Sequence, residues 1–212
     1  MDTLVAQSET MQTLRHEALN SEYAKRWRFS VEDYYRMAHT GILPQHGTPR
    51  TELLDGEIFT MSPLGGPHIW AVSRISQVLS RTFAAQIDAE EIMLVSQAAV
   101  RLLSDSEPEP DIALVRYSPE QDESLVPLAS DVLLLIEVAD SSLQFDRMKK
   151  AQMYAKAGIP DYWIVNLNDK VLEVHRKPLG SRYNEITTLR NTDTLAPLAF
   201  PEISIALSSF LR

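Results

Sequence analysis

Cysteine is absent from the 212 residues, which excludes a disulfide framework, an iron–sulfur cluster, a thiolate zinc site and a cysteine nucleophile together. Positive charge is scarce: 20 Lys and Arg stand against 29 Asp and Glu, a formal charge of −9. A protein that coats phosphate backbones in general is therefore excluded, and any contact with nucleic acid has to be local. Long apolar runs are missing as well. The most apolar stretch, from Val132 to Ile136, falls far short of the roughly 18 consecutive apolar residues that a bilayer span needs. The opening MDTLVAQSETMQTLRHEALN lacks the basic and then apolar pattern of a secretory signal, so the expectation is a soluble, cytoplasmic protein with no membrane partner. No G-x-S-x-G, Walker A or G-x-G-x-x-G occurs, and His16, His39, His46, His68 and His175 show no H-E-x-x-H spacing. Hydrolase-elbow, NTPase, dinucleotide and zinc chemistries lose their support.

What is present is an ordinary globular balance of 44% hydrophobic and 23% charged residues, enough for one domain with decoration. Residues 1–27 are polar and read as an extension or arm, and residues 28–212 as a single domain. Ser30 ahead of VEDYYRMAH is an N-cap followed by acids that favour the positive end of a helix dipole, which predicts a helix over 31–39. TELLDGEIFTMS reads as a β-hairpin turning at Asp55-Gly56. Val72, Ile75, Leu79 and Phe83 form one apolar stripe and predict a long helix over 67–87. Three strand-like pieces follow, VSQAAVRLL, DIALVRY and DVLLLIEVA. The third is apolar on both alternations, as a central strand covered on both faces should be. A helix over 144–157, a hairpin at Asn168-Asp169, the strand RYNEITTL and a short final strand and helix complete the chain. Trp70, Trp163 and Tyr162 sit in apolar periodic segments and are expected to pack in the core.

Glu137 interrupts DVLLLIEVA between strongly apolar neighbours. An ionised carboxylate there costs several kcal/mol unless it is paired or bound to a cation; a buried ion pair and a metal ligand are the two accounts. Asp111 follows Pro110 at the start of DIALV and would lie beside Glu137 if the two strands are neighbours. Two converging carboxylates match the oxygen preference of hard cations such as Mg²⁺. Glu52 opens the first hairpin strand, either as an exposed strand end or as a third acid of the same site. Lys149 and Lys150 lie on the helix after the Glu137 strand, and helical spacing puts Asp146 and Lys150 on one face. That pair is either a solvated ion pair or a cation aimed at a phosphate. Between residues 105 and 124 the local charge is −6, so much of the excess negative charge sits in those loops.

TELLDGEIFTMSP, His68 at the head of a helix, EPDIALV, LLLIEVADSS and FDRMKKAQMYAKAGIPDYWIVN together resemble the Uma-type restriction endonuclease family, a branch of the PD-(D/E)xK nuclease superfamily. The resemblance covers roughly residues 28–210 in order. It implies an α/β (mixed α+β) restriction-endonuclease-like fold, in which a mixed central sheet is flanked by helices and carries added β-hairpins. It also implies a Mg²⁺-dependent phosphodiesterase site, with Mn²⁺ as an alternative ion. Asp111 looks like the Asp of the PD half-motif and Glu137 like the acid of the (D/E)xK half-motif. Ala139 stands where the superfamily has its Lys. In Uma-type relatives a Lys on the following helix substitutes, and Lys150 is the matching position, ahead of Lys149. Glu52 matches the acid of the family's first motif; His68 and Asp146 match recurrent positions.

The resulting expectation is a DNA endonuclease in which Asp111, Glu137 and the Val138 backbone carbonyl hold the metal, Lys150 assists and Glu52 supports. Arg147, Lys149, Lys150 and Lys156 are the expected basic strip for DNA, and a homodimer is the expected assembly. The rival, favoured by Ala139 and the acidic loops, is a catalytically inactive nuclease-fold module for binding or assembly.

Overall fold

The computed structural model describes residues 25–44, 49–117 and 126–211; most of the expected arm at 1–27 lies outside them. Helix α1 (Val31–His39) begins as the sequence predicts, with Ser30 and Asp33 forming a reciprocal capping box that satisfies otherwise orphaned backbone donors. Strands β1 (Thr51–Leu54) and β2 (Glu57–Thr60) form the hairpin. Its turn places Asp55 at φ 49° and Gly56 at φ 72°, the left-handed pair that a tight hairpin requires. At Gly56 a Cβ would come 2.8 Å from the Cβ of Arg28, so Arg28, in the segment leading into α1, closes over a position only glycine fits.

The centre is a six-stranded mixed sheet in the order β3-β4-β5-β6-β7-β8. Its strands are β3 (Ile92–Ser96), β4 (Ile112–Arg116), β5 (Val132–Ala139), β6 (Asp161–Asn166), β7 (Val171–Leu179) and β8 (Arg182–Leu189). All neighbours are antiparallel except β5 and β6. A parallel pair needs a crossover, and helix α4, residues 143–156, provides it. Two short strands, β9 (Thr194–Leu195) and β10 (Ile205–Ala206), pair separately, and a 3₁₀ turn at Leu207–Ser209 follows. The mixed α+β architecture, a mixed central sheet flanked by helices with an added β-hairpin, is as expected. No helix among the described residues is long and apolar enough to cross a membrane.

Strand alternation sorts the core into two layers. Leu134, Ile136 and Val138 of β5, with Trp163 and Val165 of β6, pack under helix α2 (Gly66–Thr82) through Val72, Ile75 and Leu79. Leu135 and Ala139, with Tyr162 and Ile164, face α4 through Ala151, Tyr154 and Ala155. Burial of each large side chain in these layers contributes about 1.5–3 kcal/mol. The alternation also decides where Glu137 goes: it shares the α4 face with Leu135 and Ala139.

Three local expectations change. The helix predicted over 67–87 breaks at Phe83 (φ −104°, ψ 20°), and a separate short helix α3 (Ala84–Asp88) follows. The buried Phe83 ring packs 5.1 Å from that of Phe200, an anchor a straight helix does not provide for. VSQAAVRLL is a strand only in its first residues, because Gln97 turns into the left-handed region at φ 49° and 97–103 runs irregularly. Trp70, expected in the core, is 73% exposed, since it lies off the stripe that runs through Val72 and Ile75. Trp163 and Tyr162 are fully buried, as expected.

Candidate active site

The acids of the site come from strand positions that the sheet register brings side by side. β4 and β5 pair antiparallel with Ile112 opposite Ile136, so Asp111, just before β4, lies next to Glu137. The Val138 N–H donates to Asp111 Oδ2 at 2.8 Å, and His68 Nε2 lies 2.8 Å from Asp111 Oδ1. His68 reaches this position from the first turn of α2. Burial alone pulls its pKa down, but the hydrogen bond and charge of Asp111, with a backbone hydrogen bond to Val138, raise it overall. Asp111, His68 and the Val138 backbone are thus one unit.

Helix α4 supplies the opposing groups through a local change of winding. Its α-helical ends, Leu143–Phe145 and Ala151–Lys156, flank a π-helical turn, Asp146–Lys150, and the Ala151 N–H reaches the Asp146 carbonyl five residues back. Such widened turns occur often at functional sites. Asp146 and Lys150, at the two ends of this turn, are both buried. Lys150 Nζ donates to Glu137 Oε1 at 2.9 Å, and the Tyr154 hydroxyl donates to the same oxygen at 2.6 Å. Ser142 Oγ donates to Asp146 Oδ2 at 2.6 Å.

Glu52 of β1 closes the third side. It is 1% exposed rather than a solvated strand end. Its Oε2 lies 3.5 Å from Lys150 Nζ and its Oε1 3.7 Å from Arg50 Nη2, yet neither oxygen has a hydrogen-bond partner. Glu52, Asp111, Glu137, Asp146, His68 and Lys150 all line one pocket of about 290 Å³.

The electrostatics are strained toward excess negative charge. Burial pushes the Glu137 carboxyl up against the pull of Lys150, with Asp111, Asp146 and Glu52 adding to the rise. Burial likewise raises Glu52 and Asp146. Lys150 is pulled down by its own burial and pushed up by Glu137, Glu52 and Asp146, and the acids win. Lys150 and Arg50, with His68 on Asp111, face Glu52, Glu109, Asp111, Glu137 and Asp146 in one pocket, so acids outnumber cations and a bound cation would supply charge of the sign that is short.

A hard divalent cation fits this donor set. The pocket's donors include the carboxylate oxygens of Glu52, Asp111, Glu137 and Asp146, and the two Glu52 oxygens are buried without a hydrogen bond. Among the described residues no three His, Cys, Asp or Glu side chains form a ready-made shell. That is compatible with Mg²⁺, which keeps several waters and takes only one or two carboxylates.

The remaining cations of α4 lie elsewhere. Arg147 makes a bidentate pair with Glu173 of β7, at 3.0 Å from Nε to Oε2 and 2.5 Å from Nη2 to Oε1. Lys149 donates to Asp55 Oδ2 at 2.8 Å, and Lys156 lies 3.7 Å from Asp55 Oδ1 at the hairpin turn. The structure therefore does not bring Arg147, Lys149, Lys150 and Lys156 together as a strip. Three further pocket neighbours escape a reading by motif. Tyr154 reads as core from its apolar stripe, although its i,i+4 spacing from Lys150 was a usable signal. Arg50 and Glu109 pair at 3.4 Å on the pocket wall, and nothing in their spacing links them.

Comparison with known proteins places the chain by family and by fold. The profile of the Uma2 family, described as "Putative restriction endonuclease", matches residues 31–208. A solved structure from Anabaena variabilis ATCC 29413, described as a putative nuclease belonging to DUF820, superposes with a TM-score of 0.67 at 16% identity, covering 86% of this chain and 97% of that one. The type IIG restriction endonuclease BpuSI gives a TM-score of 0.33 at 15% identity over 55% of this chain and 13% of that one. Curated proteins yield no significant match. With the profile spanning both carboxylate strands, the hairpin of Glu52 and the helix of Lys150, this chain belongs to the Uma2 family of restriction-endonuclease-like proteins.

Proposed function

We propose that this protein is a Mg²⁺-dependent endodeoxyribonuclease that hydrolyses DNA phosphodiester bonds, with Mn²⁺ able to replace Mg²⁺. One observation carries the reading: Glu52, Asp111, Glu137 and Lys150, from four separate elements of a nuclease-family chain, converge on one pocket. Asp111, Glu137 and the Val138 carbonyl would hold the ion, which when bound supplies Lewis-acid charge and a nucleophilic water at neutral pH.

The chain's own groups act around it. Lys150, held protonated by its acids, orients the attacking water and offsets charge growing on the phosphoryl oxygens. Tyr154 shares Glu137 Oε1 with Lys150 and so fixes the rotamer of that acid. His68 holds Asp111 from the opposite side, and Asp146 helps hold Lys150 charged. Glu52, with both oxygens free of hydrogen bonds, is available to a second ion or to a metal-bound water. A homodimer acting on duplex DNA in the cytoplasm is the setting this reading expects.

A second reading has its own support. Asp111 and Glu137 already have partners inside the protein, as they would in an inactive nuclease-fold module. Cleavage of supercoiled plasmid with Mg²⁺ and Mn²⁺ separates the two. The nuclease reading expects nicking by the wild type and loss of at least a hundredfold in folded Glu137→Ala and Lys150→Ala proteins. Absence of cleavage, together with a thermal midpoint that neither ion raises, would leave the inactive module.

A further inference from the structure

The first turns of α2 wall two hollows. Gly65 and His68 line the catalytic pocket, whereas Pro67, Trp70, Ala71 and Arg74 line a second cleft of about 210 Å³. Leu167 and Lys170 of the β6–β7 turn and the chain's Phe210 and Leu211 complete it. The lower surface is apolar, with Phe210 and Leu211 buried in the α2-side core. Its rim differs: Trp70 stands 73% exposed, and Arg74 and Lys170 have no ion-pair partner among the described residues.

The cations of α4 differ from these two. Arg147, Lys149, Lys150 and Lys156 are all occupied by acids of the protein itself, in keeping with a net charge of −9. Two unpaired cations beside an exposed indole and an apolar slot complement a nucleotide: the ring stacks, the slot excludes water and the cations meet phosphate. The cleft is also tied to the catalytic pocket. Asn168 Nδ2, in the turn that carries Lys170, donates to the Asp140 carbonyl at 2.6 Å, and Asp140 lines the pocket.

We propose that this cleft binds one unpaired nucleotide of a DNA strand, with the base against Trp70 and the adjoining phosphates at Arg74 and Lys170. The identity of the ligand rests on the nuclease reading. The cleft would hold a strand locally opened beside the cutting site, which a protein with little positive charge cannot achieve by backbone attraction alone.

The test measures binding apart from cleavage. A fluorescein-labelled oligothymidylate is titrated with the full chain in chelator, and anisotropy is followed across a salt series. In parallel the Trp emission of a Trp27→Phe protein is followed, so that Trp70 is the solvent-exposed indole reporting. Expected are quenching on binding and a loss of affinity of about tenfold in Trp70→Ala, as stacking on one base provides. Arg74→Gln/Lys170→Gln should bind more weakly and lose roughly 1.4 from the slope of log affinity against log salt, at about 0.7 per phosphate contact on a single strand. Unchanged thermal midpoints show that the variants fold.

The inference is overturned if the wild type binds no oligonucleotide, if these variants bind as the wild type does, or if duplex of equal length competes as well as single strand. It is overturned too if Trp70→Ala dissolves a dimer while strand binding is unchanged, since the cleft would then be covered by a second copy. Plasmid cleavage by the wild type with unaffected cleft variants would remove the cleft alone; Trp70-dependent binding without cleavage, and with a thermal midpoint that neither Mg²⁺ nor Mn²⁺ raises, would remove the nuclease reading and leave the cleft.

Discussion

Lys150 Nζ lies 2.9 Å from Glu137 Oε1, although one residue belongs to a helix and the other to the central strand before it. Ala139, two positions on and on the same face of the strand, carries no charge. The π-helical turn Asp146–Lys150 brings a positive charge to Glu137 from the helix that covers this face. Charge at this point is a tertiary property, and four consequences follow from how it and its surroundings are held.

Removing the cation while keeping the acids should be costly. Lys150→Met leaves Glu137, Glu52 and Asp146 buried without their lysine, and loss of one partner from a buried pair typically costs 3–5 kcal/mol. Urea unfolding in chelator should report a loss of about that size. The double variant Lys150→Met/Glu137→Gln should recover at least about 1 kcal/mol of it, because the stranded charge is gone. Strict additivity of the two single changes would contradict the pairing.

Tyr154 makes a narrower prediction. Tyr154→Phe removes one hydroxyl that donates to Glu137 Oε1 at 2.6 Å and leaves the ring packing, 4.8 Å from that of Tyr162, in place. A hydrogen bond to a charged group contributes about 1.5–3 kcal/mol, so denaturant midpoints should fall accordingly. If the hydroxyl positions Glu137 for a metal, the Mn²⁺ concentration that gives half-maximal thermal stabilisation should rise as well, a change that a purely structural tyrosine would not produce.

Arg147 should behave as a brace, unlike a DNA contact. One edge of its guanidinium, Nε and Nη2, is engaged by the buried Glu173, so its removal strands a buried carboxylate. Arg147→Gln is expected to lower stability by about 1–3 kcal/mol and to leave DNA affinity and its salt dependence unchanged. A reduced salt slope in anisotropy measurements would return Arg147 to a phosphate-binding role.

His175 sets a pH dependence one ring away from the acid cluster, because Tyr162, against which it packs, donates its hydroxyl to the Asp146 carbonyl at 3.2 Å. It is buried among the rings of Tyr162 and Tyr183, at 5.4 and 5.7 Å, and its Nε2 has no hydrogen bond. Burial lowers its pKa from 6.5, opposed by Glu173 and assisted by Arg147. The folded state therefore binds this proton less readily than the unfolded chain. Its contribution to stability is complete above about pH 6.5 and is lost as the pH falls from there through the lowered folded value. His175→Phe should flatten the stability profile below pH 6.5, measured by urea unfolding at a series of pH values. An unchanged slope would remove His175 as the cause.

Some of this was legible locally. The capping box at Ser30, the Asp55-Gly56 turn and the stripe of Val72, Ile75 and Leu79 depend on interactions within a few residues, and each formed where its pattern predicts. Trp70 was misread for a related reason. Its neighbours are apolar, but at 100° per residue it lies off their stripe, and only the assembled sheet and C-terminal segment reveal a cleft beside it. The break at Phe83 and the turn at Gln97 answer to Phe200 and to backbone packing, which no window of sequence contains.

By itself the sequence determined the strands, the long helices and an acid that had to be accounted for in an apolar strand, because periodicity and burial cost act along the chain. Only the tertiary structure decided what Glu137 meets. A slip of one residue in the β4–β5 register would turn it toward α2 and away from Lys150, and a regular turn in place of the π-helical one would change how Asp146 and Lys150 present. The partners of Asp111, the burial of Glu52 and the dispersal of Arg147, Lys149 and Lys156 onto other acids likewise depend on which elements lie side by side. Electrostatic pairing acts over a few ångströms of space, regardless of how many residues separate the groups.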